Sequence, residues 1–238
     1  MTRQIPWLRV FVEGVVIVGS ILLAFGIQAW WDERQDRLEE QRLLANVHAD
    51  FIETREIIGA AVAGHRVRMR EILALAEFGR APESLRPPTF DPPQRIIGAF
   101  TGVTTTYPKT GALDGALASG CLDLVSNSEL RSALAEWPRT LSEFTEQQTW
   151  TWDLVLETRP VIAASVPIAD LLLTAGVFTG YQPPDPVYTD ELIDFLTSDA
   201  GRNYSVLRAQ AEGFSIRDGE IVLTAINSLL ELLEEEMN

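Results

Sequence analysis

The amino-terminal part of the chain contains one long apolar run. From Val10 to Trp31 every residue is apolar or small except Glu13 and Gln28. At about 1.5 Å per residue, these 22 residues form a helix of about 33 Å, enough to cross a bilayer core of about 30 Å. The pattern therefore predicts a transmembrane anchor over residues 1–31.

A cleaved signal peptide is the main alternative to a retained anchor. Glu13 interrupts the apolar region that a signal peptide needs, and no good small-x-small cleavage site follows. Trp30 and Trp31 lie where membrane proteins carry an aromatic belt, and Arg9 flanks the run on the other side. We expect a retained anchor with Arg9, Trp30 and Trp31 at the membrane interfaces.

The polar residues of this run share one helical face with several small ones. At 100° per residue, six positions fall within about 80° of arc. We call these residues the polar stripe and predict that they contact a partner helix: Glu13, Ile17, Ser20, Ala24, Gln28 and Trp31. Small residues let another helix approach closely, and a carboxylate or amide in hydrocarbon costs several kcal/mol unless it is paired. In the alternative interpretation, Glu13 pairs with Arg9 one turn earlier and both polar side chains reach the headgroups.

The helix is expected to continue beyond the membrane as a stalk. No proline occurs between Pro6 and Pro82, and apolar residues recur at helical spacing between Leu44 and Leu75. We predict a stalk helix over residues 32–79 that ends near Gly79.

A proline-rich connector separates the stalk from the rest of the chain. It covers residues 80–110 and includes a short helix around Ile96–Phe100. The apolar stretch 161–177 contains Pro167 and Asp170, so it is too short and too interrupted to predict a second span.

Residues 111–238 predict a helical bundle that packs with the stalk. Ser119-Gly120 is expected to close a short helix with the glycine in the left-handed conformation, and Ser126 with Glu129 has the spacing of a capping box for the next helix. Strand-like alternation is scarce throughout. The predicted fold class is all-α: one amino-terminal transmembrane helix that continues into a long stalk helix and a helical bundle.

Charge is distributed unevenly along the chain. The whole protein has a net charge of −15 and a mean hydropathy of +0.06. Arg3, Arg9 and Glu13 are the charged residues of 1–31, so residues 32–238 carry a net charge of −16. Because such a body repels nucleic acid, we expect no nucleic-acid partner.

Candidate chemistry is sparse. Cys121 is the only cysteine, which excludes an internal disulfide and a thiolate metal site, and as a lone cysteine it is expected to be a packing residue. His48 and His65 lie about 260° apart around one helix, so they are expected to be surface or packing residues and not joint metal ligands. We find no nucleophile elbow, dinucleotide-binding motif or calcium loop. We therefore expect no enzymatic activity, metal or cofactor.

Two stretches carry a family resemblance. The first runs Glu13-x-x-Val16-Ile17-Val18-Gly19-x-Ile21-Leu22-x-Ala24, then Gln28-x-Trp30 and Asp32-Glu33-Arg34. The second runs Leu117-x-Ser119-Gly120-x-Leu122-x-Leu124-Val125-x-Asn127, then Leu130 and Leu134. They cover less than a third of the chain and resemble a domain-of-unknown-function family of bacterial single-span membrane proteins. The resemblance implies an anchor and a helical body, and it implies no reaction.

These features favour a structural or accessory subunit of a larger membrane complex. The membrane helix and the bundle are expected to contact other membrane proteins and the lipid bilayer. Energy-transducing assemblies, respiratory or photosynthetic, are candidate hosts, and the sequence does not choose between them. The alternative is an extracytoplasmic sensor or signalling protein that acts through helix–helix contacts.

Flanking charges give the expected orientation. Basic residues occur in similar number on both sides of the apolar run, but acidic residues are abundant only on the carboxyl side, from Asp32 to Glu40. We expect a bacterial inner-membrane protein with a cytoplasmic amino terminus and a periplasmic body.

Overall fold

One helix runs from the apolar segment into the body of the protein without a break. The computed structural model describes residues 7–85, 98–166, 168–169, 172 and 190–237, and in it helix α1 covers Trp7–Arg80. At about 1.5 Å per residue, its 74 residues span about 111 Å. The stalk is thus a direct continuation of the apolar segment, and it ends one residue after the predicted Gly79.

The rest of the described chain is also helical and contains no strand. Short helical segments at Glu83–Leu85, 98–101 and Cys121–Leu124 connect the longer elements. The longer α-helices described after α1 are α2 (Gly111–Ser119), α3 (Ser128–Ser165), α4 (Asp190–Thr197) and α5 (Asp199–Met237). The predicted all-α fold is confirmed.

The three long helices form the bundle. Helix α5 packs along α1, and α3 packs along α5. Residues early in the packed parts of α1 and α3, such as Leu44 and Leu130, share a core with Leu230 near the end of α5. At the other end of the bundle, later residues of α1 and α3 meet the start of α5. Helices α1 and α3 therefore run in the same direction, and α5 is antiparallel to both.

The apolar interior is divided into two cores. The proximal core, nearer to the apolar segment, is built from positions within 44–62 of α1, 130–144 of α3 and 222–233 of α5, and in it the Phe51 and Trp137 rings meet edge to face at 4.8 Å. The distal core joins positions within 72–78 of α1 to α4, Ile162 and Tyr204. The stretch of the bundle between the two cores contains buried polar side chains.

Close contact between α1 and α4 requires a glycine. A Cβ atom at Gly79 would collide with the main-chain carbonyl of Leu196. Because a backbone atom cannot move aside as a flexible side chain can, any larger residue at position 79 would push α4 away from the distal core.

The structure confirms one predicted helix end and corrects another. Gly120 has φ of 79° and closes α2 in the left-handed conformation, as predicted. The N-cap of α3 is Asn127, not Ser126: its Oδ1 accepts from the main-chain N–H groups of Glu129 and Leu130 at 3.0 and 3.1 Å. The main-chain N–H of Ser126 instead donates to Oε1 of Glu40 on α1 at 2.5 Å. The predicted capping box is therefore wrong by one residue.

Two predictions fall partly on residues outside those described. Residues 86–97 of the proline-rich connector lie there, and the helical turn at 98–101 agrees with the predicted short helix around Ile96–Phe100. The stretch 161–177 is described only in part. Within the described residues, α1 alone is long and apolar enough to cross a membrane.

Candidate functional site

The apolar segment of α1 stands clear of the bundle. Every side chain from Phe11 to Glu39 is exposed, and a stretch near the amino terminus has a mean hydropathy of 2.0 with none of its residues buried. Buried positions begin at Leu44, where the bundle starts. An apolar helix surface of this length needs a lipid or protein environment.

The polar stripe lies along one face of this exposed segment. The Ser20 hydroxyl donates to the carbonyl of Val16 at 2.8 Å, so its proton is used inside the helix. Glu13 and Gln28 have no hydrogen-bond or ion-pair partner among the described residues. Arg9 belongs to the first turns of α1, but its side chain lies outside those described, so the alternative pairing of Glu13 with Arg9 stays a prediction.

A second surface lies on the opposite face of the segment. Phe11, Gly14, Val18 and Leu22 line a shallow apolar groove of about 580 Å³ that is centred about 150° around the helix from the polar stripe. This groove was not predicted from the sequence, because no polar residue marks its face of the helix.

At the carboxyl end of the segment, both predicted tryptophan anchors are exposed. Trp30 and Trp31 are 58% and 60% exposed, and the guanidinium of Arg34 lies 6.0 Å from the ring centre of Trp30. An Arg–Trp pair suits the boundary between apolar and aqueous surroundings, because the ring contacts apolar groups while the cation stays hydrated.

The most concentrated polar chemistry lies inside the bundle, between the two cores. We call His65, Arg68, Arg208 and Glu212 the ionic cluster. His65 Nδ1 lies 2.6 Å from Glu212 Oε2, and Arg208 Nη1 donates to Glu212 Oε1 at 2.7 Å. The side chains of His65, Arg208 and Glu212 are completely buried. These contacts join α1 to α5.

The segment that follows the helical turn 98–101 closes the cluster on one side. Arg208 Nη2 donates to the carbonyl oxygen of Gly102, and Arg68 Nη1 donates to Thr104 Oγ1 at 2.8 Å while lying 3.7 Å from Glu212 Oε1. Nearby, the Tyr204 hydroxyl donates to the carbonyl of Phe100 at 2.6 Å. The cluster therefore holds three parts of the chain together.

Burial and charge act in opposite directions on the cluster's carboxylate. Burial alone would raise the pKa of Glu212, but the hydrogen bond from His65 and the charges of Arg208 and Arg68 outweigh it, so the pKa of Glu212 is lowered. Burial lowers the pKa of Arg68 and raises that of Tyr204. Glu212 is thus held as a carboxylate that balances buried positive charge.

The cluster is closed, which determines what it can do. His65 Nε2 and Arg208 Nε are buried without a hydrogen-bond partner among the described residues. Its charged atoms contact one another, the main chain and the Thr104 hydroxyl, so the geometry suits a fixed connection between helices. Within the described part of the chain, no group of three or more His, Cys, Asp or Glu residues could hold a metal ion.

Part of this arrangement was predicted from the sequence. His65 is a packing residue, as expected, but its bond to Glu212 was missed. His48 is partly buried, with Nε2 3.5 Å from Glu234 Oε1, and Cys121 is free and partly exposed. The missed signal was helical phase. Arg208 and Glu212 precede the buried core positions Ile226 and Leu230 by 18 residues each, which is about five helical turns, so all four share one face of α5.

No protein-family model, curated protein or solved structure matches the chain. The resemblance to a family of bacterial single-span membrane proteins therefore stays a prediction.

Proposed function

We propose that the chain is a non-enzymatic, single-span accessory subunit that docks on a larger complex of the bacterial inner membrane. The observation that carries this proposal is the wholly exposed apolar segment of α1, which places Glu13 and Gln28 on one face without a partner among the described residues. A partner helix that offers hydrogen-bonding groups removes the cost of both side chains in hydrocarbon.

The connection to the bundle supports the same proposal. Because α1 is continuous and the buried ionic cluster fastens it to α5, the bundle is held in a fixed relation to the membrane helix. A subunit built in this way can brace a domain of its host outside the membrane. An energy-transducing assembly is one class of host with such domains.

The docking proposal is tested by native-gel migration after extraction in a mild detergent. We expect the wild-type protein to co-migrate in fixed stoichiometry with a defined complex identified by mass spectrometry. The double substitution Glu13→Leu with Gln28→Leu should release it. The matched control is Val12→Leu with Leu23→Ile, which changes the same segment outside both the polar stripe and the apolar groove.

A wild-type protein that migrates alone would contradict the accessory role. A stripe variant that stays bound as firmly as the control would contradict docking through the polar stripe. Migration as a homodimer would favour the second candidate function, an extracytoplasmic sensor. What supports that candidate is the uninterrupted α1, through which a shift in the bundle reaches the membrane segment directly.

The proposed orientation is tested separately by protease protection in spheroplasts. With a cytoplasmic amino terminus and a periplasmic body, external protease should degrade the bundle of intact spheroplasts. A bundle that resists until the membrane is permeabilised would reverse the orientation.

A further inference from the structure

A groove lined by threonine hydroxyls and exposed aromatic rings lies on the outer side of the bundle. It has a volume of about 490 Å³, within the range of small-molecule sites, and is formed between residues 105–107 and α3. Tyr107 is 82% exposed and Trp152 is 43% exposed, whereas Trp137 on the same helix is 3% exposed in the proximal core. Two large rings beside one groove are therefore available to a ligand.

The wall that carries Tyr107 is fixed by hydrogen bonds on either side of it. Thr106 donates through its main-chain N–H and its hydroxyl to Oε1 of Gln148, at 3.3 and 3.1 Å. Further along, the Thr54 hydroxyl contacts the main-chain N and O of Lys109, each at 2.9 Å. The groove is thus formed before any ligand arrives, which lowers the entropic cost of binding.

The hydroxyl groups that line the groove offer lone pairs. Thr145 donates its proton to the carbonyl of Ser142 and Thr149 donates to the carbonyl of Thr145, each at 3.0 Å, and the Thr106 proton is used by Gln148. Each oxygen can still accept from a ligand. Gln148 differs from these acceptors in offering a donor. Its side chain is 6% exposed, and its Nε2 has no hydrogen-bond partner among the described residues.

The ligand that fits this chemistry is neutral and rich in hydroxyl groups. None of the described residues lining the groove is acidic or basic, so a charged ligand would lose hydration without gaining a counterion. A sugar ring donates and accepts through its hydroxyls and presents a C–H face that stacks on an aromatic ring. We infer that this groove binds a neutral oligosaccharide, a function that goes beyond the proposed membrane docking.

The inference is tested by titration calorimetry on the full-length protein. The detergent must be an amine oxide, because alkyl glycosides carry sugar headgroups that would compete. The probes are cellotetraose and the tetramer of N-acetylglucosamine, and we expect saturable binding of at least one. Trp152→Ala and Tyr107→Ala should each weaken it by about tenfold.

The matched control is Trp150→Ala. Trp150 is 45% exposed on the same helix, but its ring lies 6.3 Å from that of Phe214, outside the groove. Its substitution should change the affinity by no more than about twofold. Because Tyr107 is highly exposed, Tyr107→Ala should fold normally, which circular dichroism checks. The inference would be overturned if neither probe bound saturably, or if all three variants lost the same affinity.

Discussion

His65 on α1 and Glu212 on α5 are 147 positions apart in the sequence, and their side-chain atoms lie 2.6 Å apart in the completely buried layer between the two cores. Arg208 joins the same carboxylate from one turn earlier on α5. Because a buried guanidinium without its counterion is costly, the stability of the bundle depends on this carboxylate more than on any exposed charge.

Replacing the carboxylate by an amide tests this dependence. We expect Glu212→Gln to lower the free energy of unfolding by about 3–5 kcal/mol, because Arg208 stays buried and loses its negative partner. Thermal unfolding of the full-length protein in detergent, followed by circular dichroism, gives the comparison. Glu220→Gln is the matched control: Glu220 also joins α5 to α1, through Arg66, but both side chains are 52% exposed, so its loss should cost at most about 1 kcal/mol. Equal losses would refute the importance of the buried pair.

The lowered pKa of Glu212 makes a signed prediction for acid stability. A carboxylate whose pKa is lower in the folded than in the unfolded state contributes stability above its unfolded value, near 4.5, and loses it as the pH falls through the folded value. The wild-type protein should therefore lose more stability than Glu212→Gln as the pH falls from about 5 to about 3. The groups that face this carboxylate, His65, Arg208 and Arg68, are present in both proteins. The measurement is the melting temperature of both proteins at each pH. If the two melting temperatures fell by the same amount over this range, the prediction would be contradicted.

Two substitutions at the start of α3 test whether Asn127 or the predicted Ser126 caps the helix. Asn127→Ala removes an acceptor for two main-chain N–H groups and should cost about 1 kcal/mol. Ser126→Ala keeps the main-chain bond to Glu40 and should cost less than about 0.5 kcal/mol. The same unfolding measurement compares the two variants. A larger loss of unfolding free energy in Ser126→Ala than in Asn127→Ala would contradict Asn127 as the cap and favour the predicted capping box.

The sequence was most informative where structure depends on local chemistry. The absence of proline between Pro6 and Pro82 predicts that the membrane helix continues as a stalk, and Gly120 predicts the end of α2, because helix breaking and the left-handed conformation are properties of single residues. The cap of α3 was misplaced because two adjacent residues can both accept a hydrogen bond. The contact that fixes Ser126 comes from Glu40, which is 86 positions away.

The ionic cluster and the groove between residues 105–107 and α3 both depend on contacts between distant parts of the chain, so neighbouring residues in the sequence did not predict them. Two of the cluster's charged residues, Arg208 and Glu212, resemble an ordinary surface pair at a spacing of four, and their contact with His65 on α1 does not follow from their own phase on α5. The groove needs Tyr107 and Trp152 to line the same surface, which follows from the path of the segment before α2. The polar stripe, in contrast, depends on helical phase alone, and its role stays a prediction.

Gly219 lies where α1, α3 and α5 meet, and a methyl group there tests how tightly the helices are packed. A Cβ at this position would lie 2.5 Å from Val62 Cγ2 and 3.2 Å from Phe144 Cε2, so Gly219→Ala should destabilise the bundle by about 1–3 kcal/mol. Gly213→Ala is the matched control on the same helix, because its Cβ would lie 3.9 Å from Met69 Sδ, and the higher helix propensity of alanine should stabilise α5 by up to about 1 kcal/mol. Combining Gly219→Ala with Val62→Ala should recover part of the loss, since the shortened side chain leaves room for the methyl group. If thermal unfolding showed Gly219→Ala to be as stable as Gly213→Ala, the close contact of the three helices would be wrong.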